Sequence, residues 1–296
     1  MNVLITGASG FLGFPLISHM HEQGHTAVPL ARGNASKPPN WDPATGDIDL
    51  TGSPAIDAVV HLAGESVAGG WWTKARKSRI LRSRVDGTRL LAETLASMPT
   101  KPSTLICASG ISYYGSRGDD LLDETQSPGD GFLADVTQQW EAAAAPARDA
   151  GIRVVHARIS MVLAPHGGAL AKMLPPFRLG LGGNMGNGKQ YYSWISLHDA
   201  VRALYCCLTD ASISGPVNIA SPEPATNRDF TKALGRAVKR PTCMHLPTGL
   251  ARLLLGEMAD ELLLAGQRAV PAVLQQSGFT FDDPTLDSAL KRMSLT

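Results

Sequence analysis

Three groups of residues in this chain of 296 residues have the types and spacing for chemistry. The first is Thr6-Gly7-Ala8-Ser9-Gly10-Phe11-Leu12-Gly13, directly after the apolar run Val3-Leu4-Ile5. Glycines in a G-x-x-G-x-x-G pattern suit a strand-to-helix turn that carries a pyrophosphate. One permits the tight turn, one lets the backbone approach the phosphates, and one lets the helix pack on the strand. The helix behind them offers N–H groups and a positive dipole end to the same anion. Gly7, Ser9, Gly10, Phe11, Leu12 and Gly13 are therefore candidate dinucleotide-binding residues, against the plainer reading of an ordinary strand–helix turn. The second group is Arg32-Gly33, where a site for NAD would place Asp or Glu against the ribose 2′-hydroxyl. A cation suits a 2′-phosphate, which predicts NADP(H) as the cofactor, against an exposed arginine at a strand end. The third group is Ser109, Tyr113 and Tyr114, hydroxyls at the end of another apolar run that could approach a nicotinamide. A packed tyrosine wall is the alternative for the pair.

These residues need a scaffold, and the chain supplies alternating strand and helix patterns. Thr26–Ala31, Asp57–Gly64, Thr104–Ala108 and Arg153–Ile159 read as buried strands, with helices over about 74–97 and 132–150 between them. Such alternation predicts an α/β fold with a doubly wound parallel sheet of Rossmann type. The texture changes after residue 165. Gly167-Gly168, Pro175-Pro176 and the glycines from 180 to 188 read as loop punctuation. Ser196-x-x-Asp199 and Thr226-x-x-Asp229 read as capping boxes before helices. The tail from Leu246 is mostly helical. The expected organisation is a cofactor domain over 1–165, completed by elements from 190–220. A substrate-side lobe would span 166–296, with a small helical domain over 246–296.

Composition narrows the function classes. The formal net charge is +1, which argues against a nucleic-acid or membrane partner. Cys107, Cys206, Cys207 and Cys243 show no metal-ligand spacing, and no signal peptide or membrane-length apolar run is visible. A reduced, cytoplasmic protein without a metal is expected, as monomer or homodimer.

The chain resembles the extended short-chain dehydrogenase/reductases. The resemblance rests on the Thr6–Gly13 motif, His61-Leu62-Ala63-Gly64, the strand leading to Tyr114-Gly115, and Trp194-Ile195-x-x-His198-Asp199. More narrowly it is similar to the "epimerase family protein" branch. That likeness lies in residues 61–65, 132–136 with Trp140-Glu141, 167–183 and 256–271. It implies a nucleotide-sugar-epimerase-like fold and NADP(H) binding, with Leu62, Ala63, Gly64, Glu65, Arg84 and Ser160 added to the cofactor site. It also implies an oxidoreductase acting on a carbonyl or hydroxyl of unidentified, nucleotide-sugar-like type. A non-catalytic NADP(H) sensor or partner-binding regulator is the competing reading.

The competing reading has a reason. Extended members carry Tyr-x-x-x-Lys on the helix after the Tyr-Gly loop, and no Tyr-x-x-x-Lys occurs in this sequence. The helix instead begins Phe132-Leu133-Ala134. The assisting Ser/Thr is displaced too: Gly110 fills its usual slot and Ser109 lies one residue earlier. Ser109, Tyr113 and Tyr114 are then the substitutes, with Lys172 as a possible cation. The cations Lys74, Arg76, Lys77, Arg79, Arg82 and Arg84 cannot all share one helix face, and most are expected to be a solvated surface, with Arg84 kept as a site candidate. Glu257 and Glu261 are expected to form a polar face of the tail.

Overall fold

The computed structural model describes residues 1–33 and 37–295. Eight strands form the central sheet: β1 (Asn2–Thr6), β2 (Thr26–Arg32), β3 (Asn40–Asp42), β4 (Asp47–Asp49), β5 (Ala58–His61), β6 (Thr104–Gly110), β7 (Arg153–Ile159) and β8 (Gly215–Ile219). They lie in the order β8-β7-β6-β5-β1-β2-β3-β4, parallel except for the antiparallel β3–β4 pair. The chain winds from β1 outward to β4, then returns to β5 on the other side of β1. Strand order therefore reverses between β1 and β5, which is where open α/β sheets hold their ligands, beyond the carboxyl ends.

Alternation along each strand distributes the core. Val3 and Ile5 face α1 (Gly13–Glu22), while Leu4 faces α2 (Lys74–Ser97). The predicted helix over 132–150 is two helices, α3 (Phe132–Ala142) and α4 (Ala145–Asp149), the second with proline in its first turn. A proline lacks the N–H that would continue the first helix through that point.

The stretch after residue 165, punctuated by Gly167-Gly168 and Pro175-Pro176, forms the helix α5 (Gly168–Arg178), which carries Lys172 and runs on through both prolines. Burial of Leu170, Leu174 and Phe177 along one face holds that helix despite the two missing donors. α6 (Leu197–Thr209) joins α1 on its face of the sheet, and α7 (Asn227–Ala237) joins α5 in a second core around Trp194, Phe230 and Leu234. Ser196 and Thr226 do cap α6 and α7, each accepting from the N–H three residues on. Asp199 does not close its box. It accepts instead from the N–H groups of Asp282 and Asp283 and pairs with Arg202, tying α6 to the tail.

The tail is largely helical from α8 (Thr248–Leu255) onward, as expected, but Arg268–Ala269 adds a short parallel pairing to Leu121–Leu122. No helix among the described residues is long and apolar enough to cross a membrane. All four cysteines are free.

Candidate functional site

The turn between β1 and α1 is built by exclusion of side chains. Gly7 has φ +68, and a Cβ there would stand 2.9 Å from the Leu62 carbonyl carbon. One on Gly10 would stand 3.0 Å from the Gly7 oxygen, and one on Gly13 would collide with it. The sequence assigns each glycine a steric task, and the geometry gives each a specific neighbour. No side chain caps α1, so its N-terminus faces the crevice without an internal anion. Ser9, Gly10 and Phe11 are exposed on the turn and Leu12 is half-buried. The Phe11 ring lies against Gly167 and Gly168, which lets the start of α5 close over the turn. This cradle fits a dinucleotide pyrophosphate.

A buried chain of hydrogen bonds fixes β1 against β5. Thr6 Oγ1 accepts from the N–H groups of Leu62 and Ala63, at 3.2 Å each. Its own proton must then go to His61 Nδ1, 2.6 Å away. That assigns the His61 proton to Nε2, which donates to Thr88 Oγ1 at 3.0 Å, where Trp140 Nε1 also donates at 2.9 Å. Burial pushes the His61 pKa down to about 4, so the ring is neutral. Leu62 and Ala63 therefore shape the crevice wall with their N–H groups already spent.

Arg84 reaches that wall from α2. Its Nη1 donates to the Glu65 and Ile80 carbonyls at 2.9 and 3.1 Å, and its guanidinium lies 4.9 Å from the Trp140 ring centroid. The Gly64 Cα leaves only 3.4 Å between a would-be Cβ and the Arg84 Cζ. Burial lowers its pKa to about 10, partly offset by Glu65, and it forms no ion pair among the described residues. It is thus a half-buried cation held by two carbonyls and an aromatic face. Glu65 is committed elsewhere: its carboxylate binds Arg76 at 3.1 Å and Arg79 at 3.3 Å, and its N–H donates to Ser83. Its part is to seat Arg84. Arg32 ends β2 with its side chain exposed, and no acid follows it through Gly33.

The basic run is divided: Lys74, Arg79 and Arg82 are exposed, while Arg76, Lys77 and Arg84 are half-buried. Arg76 is mostly buried between Glu65 and the Ser66 carbonyl, and Lys77 binds Glu257 at 2.7 Å beneath the Phe132 ring. Glu257 and Glu261 do lie on a polar part of the tail: Glu257 is exposed and Glu261 is half-buried. Glu261 accepts from the Phe132 and Leu133 N–H groups at 2.9 and 3.2 Å, capping α3 from the tail. A charge at a helix N-terminus is favoured by the free N–H groups there.

The hydroxyl candidates at the end of β6 also need correcting. Ser109 is 5 % exposed and donates to Glu141 Oε1 at 2.7 Å. Glu141 holds Arg158 through two hydrogen bonds of 2.8 and 2.9 Å. Arg158 donates to the Tyr114 hydroxyl at 3.0 Å, and that hydroxyl donates to Asn218 Oδ1 at 2.8 Å. Tyr114 is fully buried, and burial pushes its pKa up to about 12 against the pull of Arg158. Burial alone would lower the Arg158 pKa, but Glu141 and Tyr114 hold it above its ordinary value. Ser109 and Tyr114 are therefore bonded within the fold and support β6, β7 and β8.

Tyr113 is half-buried with its ring 3.5 Å from the Arg158 guanidinium, and its hydroxyl has no partner among the described residues. Ser160 Oγ donates to the Ile219 carbonyl at 2.9 Å, closing β7 onto β8. Lys172 Nζ donates to the Ala68 carbonyl at 3.0 Å, so it fastens α5 to the loop rather than joining a relay. On α3, Leu133 is buried and Thr137 spends its hydroxyl on the Leu133 and Ala134 carbonyls. Sequence reasoning missed the Glu141–Arg158 pair. An arginine inside the apolar strand Arg153–Ile159 was its one visible signal, because a buried guanidinium demands a partner.

The sheet order, the glycine turn at its switch point and the helical flanks define a Rossmann-type α/β protein of the extended short-chain dehydrogenase/reductase kind. The model of the NAD dependent epimerase/dehydratase family matches residues 3–220, and that of a domain of unknown function (DUF1731) matches residues 246–293. The chain belongs to the NAD dependent epimerase/dehydratase family, with the epimerase family proteins as its relatives. It is 43% identical over 290 residues to an epimerase family protein of Mycobacterium tuberculosis, covering 97% of this chain and 96% of that one. It superposes on a human epimerase family protein crystallised with NADPH at TM-score 0.91, with 32% identity and 99% of each chain covered. A nucleoside-diphosphate sugar epimerase from Corynebacterium glutamicum gives TM-score 0.80 and 35% identity over 99% of this chain and 58% of that one.

Proposed function

We propose that the protein binds NADP(H) across the β1/β5 crevice and uses it to interconvert a carbonyl and a hydroxyl on a small substrate. The observation that carries the reading is the glycine cradle at Gly7, Gly10 and Gly13, whose Cβ positions are denied by the backbone. Arg32 would meet the 2′-phosphate, and Arg84 the nucleotide beyond Gly64. The human relative crystallised with NADPH supports the choice of cofactor. NADP(H) would supply or accept a hydride at its nicotinamide ring. The chain's own part is to hold the pyrophosphate, to present the ring above β5 and β6, and to exclude water with α5 and the tail. The cofactor domain would be 1–165 with 190–220, and the substrate side 166–296.

A second reading, a non-catalytic NADP(H) sensor, is favoured by the absence of any relay on α3: Leu133 and Thr137 offer neither phenol nor ammonium. The two readings part in one experiment. Calorimetry with NADPH and NADH, followed by a turnover screen over aldehydes, ketones and UDP-sugars, is expected to show NADPH preferred and generic carbonyls slow. A missing tyrosine relay costs about 10²–10⁴-fold. Absence of NADPH binding overturns both readings, and binding without turnover on any carbonyl class overturns the first.

A further inference from the structure

The far end of α7 carries a residue that its backbone does not favour. Lys239 N–H donates to the Arg236 carbonyl at 3.1 Å, and Arg240 N–H to the Gly235 carbonyl at 3.0 Å. That pairing is the left-handed helix end in which glycine is the usual residue. Lys239 stands there instead, at φ +55, a conformation that crowds a Cβ against the following carbonyl. Lys232, Arg236, Lys239 and Arg240 line one open basin at this place, and all four are exposed. Arg236 pairs with Asp287 at 2.8 Å, while Lys232, Lys239 and Arg240 form no ion pair among the described residues. A helix dipole favours cations in the last turn, but Lys232 lies more than a turn from the end of α7. The formal net charge of +1 over the whole chain hides this local excess.

Apolar side chains stand uncovered beside the basin. Arg240 Nε donates to the Arg178 carbonyl at 3.0 Å, which sets the basin against the end of α5. Leu179 and Leu181 follow directly, 75 % and 56 % exposed. Met244 N–H donates to the Gly182 carbonyl, and Gly183–Met185 pairs in parallel with Met244–Leu246, so Met244, 52 % exposed, joins them. Past Pro247 the chain enters α8, which buries Ala251 and leaves Leu250, Leu253 and Leu254 exposed. Apolar side chains gathered in the open and rimmed by polar groups mark an interaction surface. The cations call for anions and the leucines for hydrocarbon. An anionic lipid surface offers both, phosphate above and acyl chains beneath. A nucleic acid would engage the cations and leave the leucines in water.

We propose that this edge of the protein docks on an anionic membrane surface, with phosphate headgroups in the basin and Leu179, Leu181 and Met244 among the acyl chains. The contact is peripheral, since no helix among the described residues is long and apolar enough to cross a membrane. None of these residues belongs to the cofactor site described above, so the inference stands or falls apart from the NADP(H) reading.

Co-sedimentation with vesicles tests it. The wild-type chain is expected to bind vesicles of phosphatidylcholine with phosphatidylglycerol and to leave vesicles of phosphatidylcholine alone. Lys239→Gly supplies the usual residue of that helix end. Its unfolding midpoint is therefore expected to hold or rise while binding falls about fivefold, or about 1 kcal/mol for one cation near the surface. Lys232→Gln added to it should bring the loss to about 30-fold on the same scale. Leu179→Asn with Leu181→Asn is expected to weaken binding about tenfold or more, because leucine burial drives insertion. Lys101→Gln, on the loop between α2 and β6, is expected to bind as wild type. Wild-type protein that binds both vesicle types equally, or neither, overturns the proposal and leaves the face to an acidic protein partner; this comparison needs no variant. Basin and leucine variants that bind like wild type overturn it too, as does a loss from Lys101→Gln equal to that from Lys239→Gly.

Discussion

The two halves of the crevice are built by opposite means. At the β1/β5 side the site is backbone: three glycines, an uncapped helix and a threonine that spends its hydroxyl on two N–H groups. At the β6/β7/β8 side it is a web of long polar side chains, running from Ser109 through Glu141, Arg158 and Tyr114 to Asn218. The first half is shaped to receive a ligand. The second has satisfied most of its own groups, leaving the Tyr113 hydroxyl without a partner among the described residues. A turn shaped for a pyrophosphate thus stands beside hydroxyls already bonded within the fold.

The largest expected effect breaks the second half. Glu141→Ala leaves the Arg158 guanidinium buried without its acid, a loss of about 3–5 kcal/mol of stability. Urea unfolding is the measurement. A change below about 1 kcal/mol, the level of an exposed pair, would make the web incidental. The next effect probes the first half. Arg32→Ala is expected to weaken NADPH by about 1.5–3 kcal/mol, the span of a charged hydrogen bond, and to leave NADH unchanged. Equal losses by calorimetry would remove Arg32 from the 2′-phosphate.

A third prediction uses the histidine between the halves. His61 has its folded pKa lowered to about 4, against the ordinary histidine value of 6.5. The folded state thus binds fewer protons than the unfolded state between those values. Stability is fully present above the unfolded pKa and declines as pH falls through this window. At about 1.4 kcal/mol per pKa unit, the loss from pH 7 to pH 5 is about 2 kcal/mol. His61→Gln should flatten that part of the curve, and an unchanged slope would place the titration elsewhere. The smallest effect sharpens the cofactor half. Arg84→Ala should weaken NADPH about tenfold, or about 1.4 kcal/mol, while the exposed Arg82→Ala stays within about 0.5 kcal/mol, as surface substitutions do. Arg76 would be a poor control because it is buried against Glu65. Equal small effects from the two variants would return Arg84 to a supporting role.

The contrast also explains what the sequence made legible. The glycine turn lies within eight consecutive residues, and β1, β2, β5, β6, β7 and α2 follow from local hydrophobic pattern, so these are readable, whereas the three-residue strands β3 and β4 are too short to show a period. The web is not readable, because its partners lie far apart: Ser109 and Glu141 are separated by 32 residues, and Tyr114 and Asn218 by 104. Spacing along a chain cannot show that Ser109 has been claimed by an acid on α3, or that Glu261 caps the same helix. Nor does a proline pair reveal that α5 will form around it, since the burial of Leu174 and Phe177 is a tertiary effect.

The central claim is that the glycine turn and the first turn of α1 hold the cofactor. Amide hydrogen–deuterium exchange with and without saturating NADPH tests it most directly. The expected result is that the strongest slowing falls on residues 8–14, where the turn and the start of α1 would meet the pyrophosphate. Saturation that leaves residues 8–14 exchanging as in the free protein, with protection appearing in another part of the fold, would contradict it.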